Sequence, residues 1–81
     1  MNIFVSNIPF AVSNEDLENL FASYGKVSSA RIIVDKESRR SRGFGFVEMD
    51  NDADAKSAIA ALNGKEVKGR ALNVNEARNR D

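Results

Sequence analysis

The chain has 81 residues, enough for one small domain but too few for two independent hydrophobic cores. Its 12 Lys and Arg residues balance its 12 Asp and Glu residues, so the formal net charge is zero. That balance excludes a uniformly basic nucleic-acid coat protein and strong affinity for an anionic membrane. Cysteine and histidine are absent, which excludes disulfides, zinc sites and most hydrolase mechanisms. We therefore expect no catalytic residues, no metal, no cofactor and no small-molecule substrate.

The N-terminal apolar segment is too short to act as a targeting or membrane segment. Residues 3–5 are Ile-Phe-Val, and Ser6-Asn7 follows at once. A signal-peptide core or a membrane span needs a longer apolar run. The lack of cysteine is compatible with a reducing compartment. We therefore expect a cytoplasmic protein with no membrane partner.

The first part of the chain predicts a strand, a helix and a second strand. Residues 2–8 are rich in β-formers and stop at Pro9. Ser13, followed by acidic residues, is typical of a helix N-terminus, and the helix is predicted over 14–24. Residues 27–34 form the second predicted strand. The apolar stripe of the helix consists of Leu17, Leu20 and Phe21.

The remaining part predicts a strand, a helix, a short turn and a last strand. Residues 35–42 are polar and rich in Arg and Lys, which predicts an exposed basic loop. Residues 43–49 alternate strictly, as a half-buried strand does. A second helix is predicted over 51–63, a polar hairpin or turn over 65–70, and a last strand that contains Leu72 and Val74.

The order β-α-β-β-α-β predicts an α+β fold of the ferredoxin-like, split βαβ type. In this sandwich, two helices cover one face of a four-stranded antiparallel sheet, and nothing remains to cover the other face. We expect a single domain over 1–81, with a core over about 2–76 and a polar tail at 77–81. The strand residues that match the apolar stripes of the helices, and so form the predicted core, are Ile3, Val5, Ala30, Ile32, Val47, Met49, Leu72 and Val74.

Three phenylalanines alternate with the predicted core residues and so belong to the open face. Exposed rings of this number form an apolar patch that usually marks a binding site. Aromatic rings on a sheet suit unstacked bases, each of which contributes roughly 1–3 kcal/mol when it stacks. We expect Gly43 and Gly45 to keep this strand slim, so that a ribose or base approaches its backbone. The three residues are Phe4, Phe44 and Phe46.

Two segments of the sequence resemble the paired motifs of the RNA recognition motif family. Residues 42–49, Arg-Gly-Phe-Gly-Phe-Val-Glu-Met, match seven of the eight positions of its ribonucleoprotein motif, and residues 3–8 resemble the six-residue partner motif. The resemblance extends over 2–78. It departs from the family at Met49, where an aromatic residue is preferred, and at Arg39, where the loop often has Gly.

This resemblance implies roles for individual residues. Bases would stack on Phe4 and Phe46, Phe44 would pack against the sugars between them, and Arg42 would bind a phosphate. Polar residues that share the open face would contact base edges or ribose hydroxyls. These second-tier residues are Asn2, Arg31, Asn73 and Asn75, with Arg78 just beyond the last strand.

The function that follows is non-catalytic binding of short single-stranded RNA. The chain resembles small stand-alone bacterial members of the family, which suggests a post-transcriptional regulator or RNA chaperone, and we take a monomer as the default. The alternatives are a protein-interaction module that uses the same sheet face and a general single-stranded nucleic-acid binder. Residues 31–42 carry a charge of +3 and residues 13–24 a charge of −3. Few phosphate contacts and a shallow salt dependence are therefore expected.

Overall fold

A computed structural model describes residues 1–34, 37 and 41–77, without the side chains of residues 41 and 42. It contains a four-stranded antiparallel sheet in the order β2-β3-β1-β6, and a separate two-stranded hairpin of β4 and β5. This architecture confirms the predicted α+β sandwich. The elements are β1 (Asn2–Ser6), α1 (Asn14–Ala22), β2 (Val27–Val34), β3 (Ser41–Met49), α2 (Asp52–Leu62), β4 (Glu66–Val67), β5 (Arg70–Ala71) and β6 (Asn73–Ala77).

The first strand is shorter than predicted because the chain turns sharply after Ser6. Asn7 has a φ of 58°, in the left-handed region that Asn tolerates better than most residues, and this conformation ends the extended strand. The Asn7 side chain donates a hydrogen bond to the carbonyl oxygen of Ala71 at 2.8 Å. The turn sends Ile8 and Val12 into the core, where the strand alternation had not placed them.

Both helices begin at side chains that cap their first turn. In α1, the Ser13 hydroxyl accepts from the Asp16 amide at 3.1 Å, and the Asp16 carboxylate accepts from the Ser13 amide at the same distance. In α2, the Asn51 side chain accepts from the Asp54 amide at 3.0 Å. These contacts satisfy amide groups that a helix leaves without partners, which is why α1 starts at the predicted residue and α2 within one residue of the predicted start.

The apolar core lies between the helices and one face of the sheet, called here the helix face. All the predicted core residues belong to it, although Ala30 is half-buried at its margin. The opposite face of the sheet, the open face, carries the alternate residues of the same strands. The buried members of the core are Ile3, Val5, Ile8, Val12, Leu17, Phe21, Ile32, Val47, Met49, Ala55, Ala58, Leu62, Leu72 and Val74.

Each edge strand of the sheet is held by an asparagine next to a helix end. The side-chain oxygen of Asn14, the first residue of α1, accepts from the Ile32 amide of β2 at 2.8 Å. The side-chain oxygen of Asn63, the C-cap of α2, accepts from the Val74 amide of β6 at 3.0 Å. Because edge strands otherwise present unpaired amides, these bonds fix the helices against the sheet and blunt its edges. Within the described ranges, neither helix is long and apolar enough to traverse a lipid bilayer.

Candidate nucleic-acid interface

Three phenylalanine rings meet at the centre of the open face and form what we call the aromatic cluster: Phe4, Phe44 and Phe46. In the β1–β3 register Phe4 lies opposite Phe46, and Ser6 lies opposite Phe44. The ring centroid of Phe4 is 5.9 Å from that of Phe44 and 5.5 Å from that of Phe46. The centroids of Phe44 and Phe46 are 6.5 Å apart. The two central strands therefore position all three rings on one face, as the alternation predicted.

The rings are less exposed than the sequence suggested, because they pack on one another. Phe46 is 39% exposed, whereas Phe4 and Phe44 are half-buried. Aromatic pairs at these separations prefer tilted and edge-to-face arrangements, which bury part of each ring. The cluster is thus a partly preorganised surface rather than three rings standing free in solvent.

The tilt between the rings restricts what can stack on them. The planes of Phe4 and Phe46 are inclined by 56°, and those of Phe44 and Phe46 by 86°. Two bases stacked on differently tilted rings cannot remain parallel to each other. A double helix keeps neighbouring bases parallel, so the geometry favours unstacked bases of a single strand.

Polar residues surround the aromatic cluster on the same face, as predicted. Asn75 lies opposite Phe4 in the β1–β6 register, and Arg31 lies opposite Phe46 in the β2–β3 register. The exposed residues of this group are Arg31, Asn73 and Asn75, and Asn2 is half-buried. Amide and guanidinium groups here have the donors and acceptors needed to read base edges.

Some of the predicted site residues lie outside the described structure. The backbone of Arg42 belongs to β3, but its side chain is not described. Arg78 and Arg39 also lie outside the described residues. The predicted phosphate contact of Arg42 and the predicted contact of Arg78 with the bound strand therefore stay predictions from the sequence.

The proposed role of Gly45 in admitting RNA to the backbone is wrong. Gly45 is buried on the helix face, opposite Val5 and Ile32. A Cβ atom at this position would lie 2.4 Å from the carbonyl oxygen of Arg31, so the glycine permits close approach of β2 to β3. Gly43 has a φ of +82°, a conformation that glycine adopts readily. The backbone conformation therefore also explains why a glycine stands at position 43.

Two surface features were not identified from the sequence. Phe10, in the segment between β1 and α1, is 84% exposed. Phe10 belongs to no strand or helix pattern in the sequence. The only local signal was Pro9 before it, which indicates a turn but not the exposure of Phe10. The second feature is a recess on the open face with a volume of about 480 Å³. It depends on the pairing of β2 with β3, which the alternation alone did not establish.

The acidic residues at the start of α1 serve the helix. The backbone hydrogen bond from Ser13 is the main cause that lowers the pKa of the Asp16 carboxyl below its ordinary value, with smaller contributions from Lys68 and the Ser13 hydroxyl. A carboxylate in a capping box is expected to behave in this way. In the part of the chain that the structure describes, no three His, Cys, Asp or Glu side chains are grouped to hold a metal ion.

Comparison with known proteins gives a consistent result. A family model described as RNA recognition motif matches residues 3–73. The Nostoc sp. protein RbpB, provisionally named as RNA-binding, is 48% identical over 100% of the chain, which covers 79% of that protein. The chain also matches longer plant proteins, and it spans 27% of the length of an RNA-binding protein of Arabidopsis thaliana chloroplasts.

Solved structures of similar proteins share this fold along the whole chain. The crystal structure of the RNA-binding protein PG1 has a TM-score of 0.94 and 52% identity, covering 100% of this chain and 98% of that one. A complex of the Drosophila melanogaster Sex-lethal protein with RNA has a TM-score of 0.92 and 31% identity, covering 99% of this chain and 48% of that one.

Proposed function

Because the chain belongs to the RNA recognition motif family, we propose that it binds single-stranded RNA on the open face and catalyses no reaction. The aromatic cluster is the observation that carries this proposal. The centroids of its rings lie within 6.5 Å of one another on two neighbouring strands, and the planes of Phe4 and Phe46 are inclined by 56°, so that these two rings can receive separate bases. The names of its relatives, and the RNA bound to Sex-lethal, support the same ligand.

In the proposed mechanism, stacking supplies most of the affinity. One base stacks on Phe4 and the next on Phe46, while Phe44 packs against the intervening sugars. Each stacked base contributes about 1–3 kcal/mol. Arg42 holds a phosphate, and the side chains that flank the cluster, such as Asn75 and Arg31, contact base edges and ribose hydroxyls. Arg78 would add a contact across the bound strand.

A small number of phosphate contacts follows from the balanced charge of the chain. If the protein neutralises about two or three phosphates, the logarithm of the association constant falls with the logarithm of salt concentration with a slope of about −0.7 per phosphate. Affinity measured from low to moderate salt would therefore change only modestly. A much steeper slope would mean that phosphate contacts, rather than stacking, dominate binding.

The decisive experiment compares ring removal with ring retention at the most exposed member of the cluster. Phe46→Ala should weaken binding of a fluorescent mixed-sequence RNA by about 1–3 kcal/mol, since one stacked base is lost. Phe46→Tyr keeps an aromatic face and should retain most of the affinity. Fluorescence anisotropy measures both, and thermal unfolding checks that the variants remain folded.

The same titration separates the proposal from its alternatives. Unchanged RNA affinity in Phe46→Ala and in Phe44→Ala would favour a protein-binding surface on this face. Equal affinity for single-stranded DNA of the same sequence would favour a general single-stranded binder, because recognition would then not use the ribose 2′-hydroxyl. The proposal includes one domain and a cytoplasmic location. The match of the whole chain to 79% of a cyanobacterial protein supports the location.

A further inference from the structure

A recess lies beside the aromatic cluster on the open face. Its lining residues come from all four strands of the sheet, including Ala77 at the end of β6. Its volume of about 480 Å³ is large enough to receive a nucleobase with its sugar. Phe46, an exposed ring, forms one wall, and the exposed side chains of Ser29, Arg31 and Glu48 contribute polar groups. The recess is therefore continuous with the surface on which we propose that RNA stacks.

A β-bulge in β2 creates this arrangement. The register of β2 and β3 shifts between Val27 and Ser29, so that Val27 lies opposite Met49 on the helix face and Ser29 lies opposite Glu48 on the open face. Arg31 lies opposite Phe46 in the next pair on the open face. A carboxylate, a guanidinium and an aromatic ring are thus brought to neighbouring positions on two strands.

Among the described residues, the Glu48 carboxylate and the Arg31 guanidinium form no direct ion pair within 4.0 Å. A free carboxylate on a surface that binds a polyanion repels the phosphates of the ligand, and this repulsion weakens binding unless the carboxylate receives hydrogen bonds from the bases. Glu48 therefore disfavours phosphate at this position and favours a base that presents donors.

We propose that this recess selects guanine in the bound RNA, with Glu48 as the specificity-determining residue; the inference rests on the proposed function. The Watson–Crick edge of guanine carries two parallel donors, N1–H and the N2 amino group, which match the two oxygens of one carboxylate. Its O6 and N7 atoms are the acceptors that Arg pairs with most often. Glu48 thus reads the two donors, Arg31 reads the adjacent acceptors, and Phe46 lies alongside the base.

The other bases satisfy this set of groups less well. Adenine and cytosine each offer one amino group beside an unprotonated ring nitrogen, which would face the carboxylate and repel it. Uracil offers one N–H group between two carbonyl oxygens, and these also face the carboxylate unfavourably. A site built to receive hydrogen bonds discriminates strongly against a ligand that lacks the matching donor, since a polar group is then left unpaired.

The test uses a short uridine oligoribonucleotide that contains one variable position, moved along the chain to find the preferred register. At that position, we compare guanosine, adenosine, cytidine, uridine and inosine, which differs from guanosine by lacking the 2-amino group of the base. The wild-type protein should bind the guanine oligonucleotide about tenfold more tightly than the inosine one, since one of the two carboxylate hydrogen bonds is lost. The affinity for all-uridine RNA provides the reference.

Glu48→Gln should abolish the difference between guanine and inosine. A glutamine amide keeps one acceptor but replaces the other by a donor, which faces a donor of guanine. The affinity of the Glu48→Gln variant for all-uridine RNA should equal or exceed that of the wild type, because a negative charge is removed. Glu76→Gln is the matched control: it makes the same charge change on β6 at a position opposite Ile3, hence on the helix face, and should keep the discrimination.

The outcomes separate this inference from the proposed function. If wild-type protein binds all-uridine RNA but prefers another base, or if Glu48→Gln retains the preference for guanine over inosine, the guanine assignment is overturned. If no oligonucleotide binds, or if Phe46→Ala leaves every affinity unchanged, the proposed function itself fails. Circular dichroism of Glu48→Gln confirms that the exposed substitution leaves the fold intact.

Discussion

The two faces of the sheet are built from the same strands but have different roles: the helix face packs in the core, and the open face is available to a ligand. Ile3 and Phe4 are consecutive and both apolar, yet Ile3 is completely buried on the helix face, whereas Phe4 is half-buried on the open face. In β3, Val47 is buried between the exposed residues Phe46 and Glu48. Apolar character alone therefore does not decide whether a residue stabilises the fold or binds a ligand. The face on which the residue lies decides it.

The difference has an energetic meaning. Side chains on the helix face lose contact with water when the chain folds, at a gain of about 25 cal/mol for each Å² of apolar surface. The rings on the open face still expose part of their apolar surface to water after folding. A ligand that covers this surface gains the corresponding free energy on binding. Substitutions on the two faces should consequently be separable, with one set altering unfolding and the other altering RNA affinity.

Ile3 and Phe4 provide the largest expected contrast. Ile3→Ala should destabilise the fold by about 2–5 kcal/mol, because it leaves a cavity in the core. Phe4→Ala should cost less stability, mainly its two ring contacts, worth about 0.5–1.5 kcal/mol each, but should lower RNA affinity by about 1–3 kcal/mol. Urea unfolding and RNA titration of both variants measure the two effects. Equal losses of stability would show that the aromatic cluster is part of the core.

Gly45 tests whether a residue inside the RNA-binding motif has a structural role. Gly45→Ala places a Cβ 2.4 Å from the carbonyl oxygen of Arg31, so β2 must move away from β3. We expect a loss of about 1–3 kcal/mol in the free energy of unfolding, as for other overpacked sites. Chemical denaturation gives this value. A variant of full stability that binds RNA poorly would instead restore the idea that Gly45 admits the ligand.

The asparagines that hold the edge strands should have a smaller effect, confined to the fold. Asn14→Ala and Asn63→Ala each remove a side-chain acceptor from a partly buried amide, of Ile32 and Val74 respectively. We expect each to lower stability by about 1 kcal/mol. RNA affinity should be unchanged at a temperature where the protein is folded, because both side chains act at the helix side of the sheet edges. A loss of affinity in Asn14→Ala would show that the position of β2 controls the open face.

The smallest predicted effect is the contribution of Asp16 to the stability of the fold, which should depend on pH. The pKa of the Asp16 carboxyl is lowered from its ordinary value of 3.8, mainly by the hydrogen bond from the Ser13 amide. A lowered folded pKa means that Asp16 stabilises the fold above pH 3.8, and that this contribution is lost as the pH falls through the folded pKa. Asp16→Asn should therefore unfold at a lower temperature than the wild type at neutral pH, and the difference should shrink in acid. Glu15→Gln, in the same turn but outside the capping box, serves as the control.

Local sequence patterns were sufficient to predict most elements and the aromatic cluster. Strict alternation in residues 43–49 placed Phe44 and Phe46 on one face and Val47 on the other, because strand side chains alternate with a period of two. The cap at Ser13 predicted the start of α1. These features depend on residues close together in the chain, so the sequence contains all the information needed to find them.

Features that depend on the pairing of distant segments were missed or misread. The burial of Ile8 and Val12 follows from the left-handed turn at Asn7, and the tight contact at Gly45 follows from the approach of β2. The partial burial of the aromatic rings follows from the short distances between them, which only the structure gives. None of these is encoded in a local period.

By itself, the sequence determined the fold class, the helix starts and the identity of the three rings on the open face, because short-range periodicity and capping specify them. Only the tertiary structure decided that Ser29 lies opposite Glu48 and that both line a recess beside Phe46, since a single-residue bulge in β2 sets that register. A bulge shifts which side chains are neighbours across two strands without changing the composition of either strand.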